Sequence, residues 1–128
     1  MRKPILIIDD DEEDRMLMRH SLDKAGFKDI TTTGCEKEAI TLAKKRKPSV
    51  IIIDIILGHL NGFDICRKMR TLCGSQVKII MVTGMISAAD GEKAHEAGAD
   101  DLTMKGHNYL RLINEVKKMF EKKSTNKK

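Results

Sequence analysis

The sequence predicts an α/β protein: a five-stranded parallel sheet with helices on both faces, doubly wound. Three observations predict it. Short runs rich in Ile and Val alternate with segments whose apolar residues fall at helical spacing. The strongest runs are apolar at consecutive positions, as strands covered on both faces are. Glycine or proline closes most of the helical segments. Strict strand–helix alternation over 128 residues fits one domain, with no internal repeat and no low-complexity tract.

Ile5 to Ile8 is the first strand. Met18, Leu22 and Ala25 follow at i, i+4, i+7, the stripe of an amphipathic helix, and Gly26 supplies the left-handed residue that ends it. Met16 and Met18 read as packing and exposure on that helix. Ile30 to Thr33 is a weaker second strand; Ala39, Ile40 and Ala43 mark the second helix, which Pro48 stops. Val50 to Ile53 is the third strand. Ile65, Met69 and Leu72 line the third helix, closed by Gly74. Val77 to Val82 is the fourth strand, Ala88 to Ala97 a short helix before Gly98, and Asp101 to Met104 the fifth strand. Ile113, Val116 and Phe120, at i, i+3, i+7, face the core from the last helix.

The net charge of +5 does not belong to the domain. Residues 117–128 hold six Lys and one Glu, so the remaining residues are balanced. The expected division is a domain over residues 1–121 and a basic tail or linker stub over 122–128. The Lys-rich end is the sole support for nucleic-acid binding, and aromatic stacking platforms are scarce, which argues against it. No run is long enough to span a bilayer and no signal peptide precedes the first strand, so a cytoplasmic protein is expected. Cys35, Cys66 and Cys73 are odd in number and lack metal spacing; they read as reduced thiols.

A sheet of this kind places its ligand beyond the carboxyl ends of the strands. Asp9 and Asp10 follow the first strand, Asp54 the third, Thr83 the fourth and Lys105 the fifth. Two carboxylates ~4 Å apart repel by roughly 4 kcal/mol at an effective dielectric of ~20, which a divalent cation would relieve. An all-oxygen set suits Mg²⁺, with Mn²⁺ as second choice. A hard cation, a lysine and a hydroxyl around a carboxylate are what an incoming phosphoryl group needs. The rest of the acidic run, Asp11, Glu12, Glu13 and Asp14, reads as a solvated helix start.

These residues resemble the receiver domain of two-component response regulators, the CheY-like family. The resemblance covers about residues 4–121. It rests on Ile5-Leu6-Ile7-Ile8-Asp9-Asp10-Asp11, Ile51-Ile52-Ile53-Asp54, Asn61-Gly62-Phe63-Asp64, Met81-Val82-Thr83-Gly84, and Ala97-Gly98-Ala99-Asp100-Asp101 leading to Lys105. It implies a flavodoxin-like sheet in the order 2-1-3-4-5. It makes Asp54 the phosphorylated nucleophile, with Thr83 and Lys105 contacting the phosphoryl group. It makes Asp10, Asp54 and the backbone carbonyl of Ile56 Mg²⁺ ligands, with Asp9 acting largely through water. The donor would be a phosphohistidine on a histidine kinase or histidine phosphotransfer protein. The output would be a protein partner or a homodimer, formed through the face of the fourth helix, fifth strand and fifth helix. Phosphotransfer to its own aspartate is not turnover, so no enzyme in that sense is expected. No output domain follows residue 121, which implies a stand-alone or an excised receiver. A phosphorylation-independent pseudo-receiver is the alternative reading.

The sequence departs from the family at several positions. Leu102 stands where a switching Tyr or Phe is usual, and Tyr109 reads as a packing or surface residue. Gly58 and Gly106 replace prolines, so both loops are expected to be loose, with a trans Lys105–Gly106 bond and rearranged loop, or a strained bond. Ile56 and Met85 are apolar where the family tunes water access, which implies slow self-dephosphorylation. His20, His59, His95 and His107 do not cluster in sequence; His59, near the site, reads as a loop residue.

Overall fold

A computed structural model describes residues 3–125, apart from 59, 86 and 88. The elements run β1 (Ile5–Ile8), α1 (Glu12–Lys24), β2 (Ile30–Thr33), α2 (Glu36–Arg46), β3 (Val50–Asp54), β4 (Ile56–Leu57), β5 (Leu60–Asn61), α3 (Gly62–Cys73), β6 (Lys78–Thr83), α4 (Asp90–Glu96), β7 (Asp101–Met104) and α5 (Gly106–Thr125). Five strands form one parallel sheet in the order β2-β1-β3-β6-β7. Counting only those strands, the order is 2-1-3-4-5, as the resemblance implies.

The sheet divides the core in two. Leu6, Ile8, Ile51, Ile53, Ile79 and Met81 point to one face, where they meet α2, α3 and α4 through residues such as Ala43, Ile65 and Met69. Their neighbours Ile5, Ile7, Val50, Ile52, Ile80 and Val82 point to the other, against Met18 and Leu22 of α1 and Leu112 and Val116 of α5. The period-2 alternation of side chains explains why these strands are apolar at every position. Each fully buried Ile or Leu contributes about 1.5–3 kcal/mol.

The expected punctuation is present. Gly26, Gly74 and Gly98 all hold positive φ, and Lys47 takes a left-handed conformation just before Pro48. Met18 is buried and Met16 exposed on α1. The expected core stripe of α3 holds at Ile65 and Met69 but not at Leu72, which is exposed. At the end of the helix Cys73 packs against the core in its place.

Two loops differ from expectation. Residues 56–61 do not form a loose connection: β4 and β5 pair antiparallel, Ile56 with Asn61 and Leu57 with Leu60. Gly58 turns that hairpin at φ 61, a conformation closed to proline, whose φ is fixed near −65°. Beyond Lys105, no cis peptide bond occurs among the described residues, and the first turn of α5 holds Asn108 and Tyr109 at φ 56 and 61. This is the rearranged loop. α5 itself passes residue 121 and continues to Thr125. Among the described residues, no helix is long and apolar enough to cross a membrane.

Candidate phosphoacceptor site

Parallel register assembles the site. Ile8 lies opposite Ile53, so the residues that follow them, Asp9 and Asp54, leave β1 and β3 side by side. Thr83 lies opposite Met104, which sets Lys105 at the far edge of the same end. Asp9 is fully buried, and Asp54 and Thr83 are nearly so.

Lys105 gathers the acids. Its Nζ donates to Asp54 Oδ2 at 2.8 Å, to Asp9 Oδ2 at 2.9 Å and to Asp14 Oδ2 at 2.6 Å. Three carboxylates and one ammonium sum to −2 when ionised. The other oxygens are held by backbone: the Asp11 N–H donates to Asp9 Oδ1 at 3.0 Å, and the Ile56 N–H to Asp54 Oδ1 at 3.2 Å. Burial pushes the Asp9 carboxyl up to about 6, against the Asp11 amide and Lys105, which favour its charged form. Burial also works against the Lys105 ammonium, but its bonds to Asp14, Asp54 and Asp9 outweigh this and hold its pKa above the usual lysine value.

The remaining expected residues are placed differently. The Thr83 hydroxyl does not meet Asp54: it donates to the Met85 carbonyl at 3.1 Å and accepts from the Met85 N–H at 3.3 Å. Asp10 is exposed and lies over the hairpin, where a Cβ at Gly58 would sit 2.7 Å from its Oδ2. The Ile56 side chain points to solvent, 67% exposed, as does Met85 at 81%. Gly62 lets α3 begin against the end of β3, since a Cβ there would lie 2.1 Å from the Asp54 carbonyl oxygen. His20 and His95 are exposed; His59 and the His107 side chain lie outside the described residues.

Two participants escape the sequence reading. Asp14 is a site residue and not a solvated helix acid: it is only partly exposed and one of three acids whose ligand atoms lie within 4.8 Å of one another, with Asp9 and Asp54. Tyr109 is buried, and its hydroxyl reaches Asp14 Oδ1 at 3.4 Å. Burial first, and the Asp14 charge second, push its phenol up to about 12. The acidic run did mark Asp14's segment; no sequence signal marks Tyr109, which reaches Asp14 from a backbone at φ 61.

An acid pair at the end of one strand, an aspartate ending the central strand and a lysine after the last recur together in one family, and residues 5–117 match the family model for the response regulator receiver domain. The chain belongs to that family.

As a receiver domain it resembles, at 32% identity over 117 residues, the DNA-binding response regulator MtrA of Mycolicibacterium smegmatis, covering 91% of this chain and 50% of that protein. The chain thus spans about half the length of the curated relatives it matches. A CheY-like receiver domain protein from Methanospirillum hungatei superposes with a TM-score of 0.84 at 27% identity, covering 98% of this chain and 99% of that one. A response regulator from Burkholderia pseudomallei, whose structure holds a phosphorylated aspartic acid and a calcium ion, superposes at 0.80 with 25% identity, covering 97% of this chain and 72% of that one.

The donor set fits a hard divalent cation. It is all oxygen, Asp9 and Asp54 place ligand atoms within 4.8 Å of each other, and the acids around Lys105 carry an excess negative charge that one dication would neutralise.

Proposed function

We propose that this receiver domain accepts a phosphoryl group on Asp54 and uses it to switch partner binding in two-component signalling. The observation that carries the reading is the contact of Lys105 Nζ with Asp54 Oδ2, 2.8 Å, at the end of the central strand. An Asp54 carboxylate oxygen attacks phosphorus, the N–P bond of a phosphohistidine breaks, and the imidazole nitrogen leaves with the electron pair. The product is an acyl phosphate. Lys105 pairs with its new negative oxygens, and the Ile56 amide fixes the remaining carboxylate oxygen. Mg²⁺ would be held by Asp9 and Asp54, with Asp10 and the Ile56 carbonyl completing the set the family resemblance implies. Bound there, it neutralises phosphoryl charge. The phosphorylated aspartate in the Burkholderia pseudomallei relative supports the assignment.

The donor is a histidine kinase or a histidine phosphotransfer protein in the cytoplasm. Phosphorylation draws the Thr83 hydroxyl from Met85 toward the phosphoryl group and reshapes the α4–β7–α5 face, which binds a protein partner or a second copy. Each chain takes one phosphoryl group, so the domain is a switch and not a turnover enzyme. Incubation with Mg²⁺ and acetyl phosphate, read by intact mass, tests this. One phosphate gained by the wild type and none by Asp54→Asn is expected. No gain under any donor would leave the pseudo-receiver reading.

A further inference from the structure

The α1–α5 seam touches the site at one point, and that point is unusual on both sides. From α1, Asp14 takes the shortest of the three bonds that Lys105 makes, 2.6 Å. An ammonium has three N–H donors, and all three are engaged by carboxylates. From α5, Tyr109 reaches the other Asp14 oxygen at 3.4 Å, a long hydrogen bond in which the phenol donates. To do so it holds φ 61, next to Asn108 at φ 56. A bulky residue in that region costs of order 1–3 kcal/mol and persists only where its surroundings enforce it. The ring is buried among the core residues of α5, so a change at its hydroxyl is felt by the helix.

These contacts give Asp14 two alternative partners, one strong and one weak. A phosphoryl group on Asp54 brings further negative oxygens to Lys105 and competes with Asp14 for the ammonium. We propose that Asp14 and Tyr109 are a positioning pair for Lys105: Asp14 holds the lysine before phosphorylation and shifts onto the Tyr109 hydroxyl when the phosphoryl group draws the lysine away. The inference rests on the phosphoacceptor reading. It provides a route from the acyl phosphate to α5 that does not use residue 102, where leucine has neither ring nor hydroxyl to move.

The chain reports on this pair by itself, because Tyr109 is its single tyrosine and it has no tryptophan. A carboxylate accepting a closer hydrogen bond from a phenol quenches the phenol's emission. In this 128-residue chain with Mg²⁺, tyrosine emission is expected to fall when acetyl phosphate is added, in proportion to the phosphate gained by intact mass. In Asp14→Asn the fall should vanish at matched phosphate load. Unchanged emission in phosphorylated wild type overturns the proposal, as does a fall that persists in Asp14→Asn. An Asp14→Asn protein that takes no phosphate overturns it too, because Asp14 would then belong to the chemistry itself. A wild type that takes no phosphate sinks the phosphoacceptor reading on mass alone, and this inference with it.

Discussion

Lys105 Nζ lies 2.8 Å from Asp54 Oδ2, although the strands that deliver them, β7 and β3, are separated by β6. The contact closes the gap at the carboxyl end of the sheet. It places a cation against Asp54, the proposed nucleophile, where a phosphoryl group would need it, and leaves the Thr83 hydroxyl of the intervening strand turned onto Met85.

Removing that cation exposes the repulsion it offsets. Lys105→Met leaves Asp9, Asp14 and Asp54 facing one another without a counter-charge. Loss of one partner from a buried ionic group costs about 3 kcal/mol. In chelator the variant should melt well below the wild type, and Mg²⁺ should raise its melting temperature more than it raises the wild type's. Equal melting of the two proteins in chelator would contradict the geometry.

Arg70 ties three segments on the α3 side. It donates to the Gly98 carbonyl from both Nε and an Nη, to the carbonyls of Gly74 and Val77, and to Asp100 Oδ2 at 2.9 Å. Arg70→Ala should destabilise by about 2–4 kcal/mol in denaturant titration. Gly98→Ala should destabilise as well, since φ is 98 there and a Cβ would lie 3.1 Å from Arg70 Cγ.

A pH-dependent contribution to stability lies outside the proposed phosphoacceptor site. Burial, and then a hydrogen bond with the Glu115 carboxyl, push Asp101 up to about 6 from 3.8, with Lys118 opposing. The folded state therefore binds this proton more tightly than the unfolded chain. Stability contributed by the protonated form is full below about pH 4 and is lost as pH rises through about 6. Asp101→Asn should remove that part of the slope and gain stability at pH 7. Parallel stability curves for variant and wild type between pH 4 and 7 would refute it.

Ile56 and Met85 flank the site with exposed apolar side chains that cannot orient an attacking water. The acyl phosphate should be long-lived, and Ile56→Asn should shorten its lifetime several-fold by offering an amide to that water. Timed intact-mass measurement after donor removal decides this; decay of the wild type within seconds would refute it.

Most of the fold was legible because both faces of the sheet are covered. β1 and β2 begin and end where their apolar or β-branched runs do, and β7 has the Asp101–Met104 bounds read from the sequence; Asp9, Asp54 and Lys105 are visible as polar residues placed directly after such segments. Asp14 was not, since an acid in the first turn of a helix has an ordinary role there, and only the packing of α1 against the site gives it Lys105. Tyr109 was hidden for a different reason: its hydroxyl reaches Asp14 from a left-handed backbone, which no local propensity favours for a tyrosine. The hairpin at Gly58 is not legible in the sequence because glycine there permits a loose loop and a tight turn at positive φ alike, and only the pairing of Ile56 with Asn61 decides between them.

The central claim is that Asp54 itself carries the phosphoryl group. Borohydride reduces an acyl phosphate to the alcohol, turning a phosphorylated aspartate into homoserine, so peptide mapping after treatment with Mg²⁺, acetyl phosphate and borohydride locates it. The account predicts homoserine at position 54 and at no other acid. Homoserine at position 9, 10 or 14, or none anywhere, would contradict it.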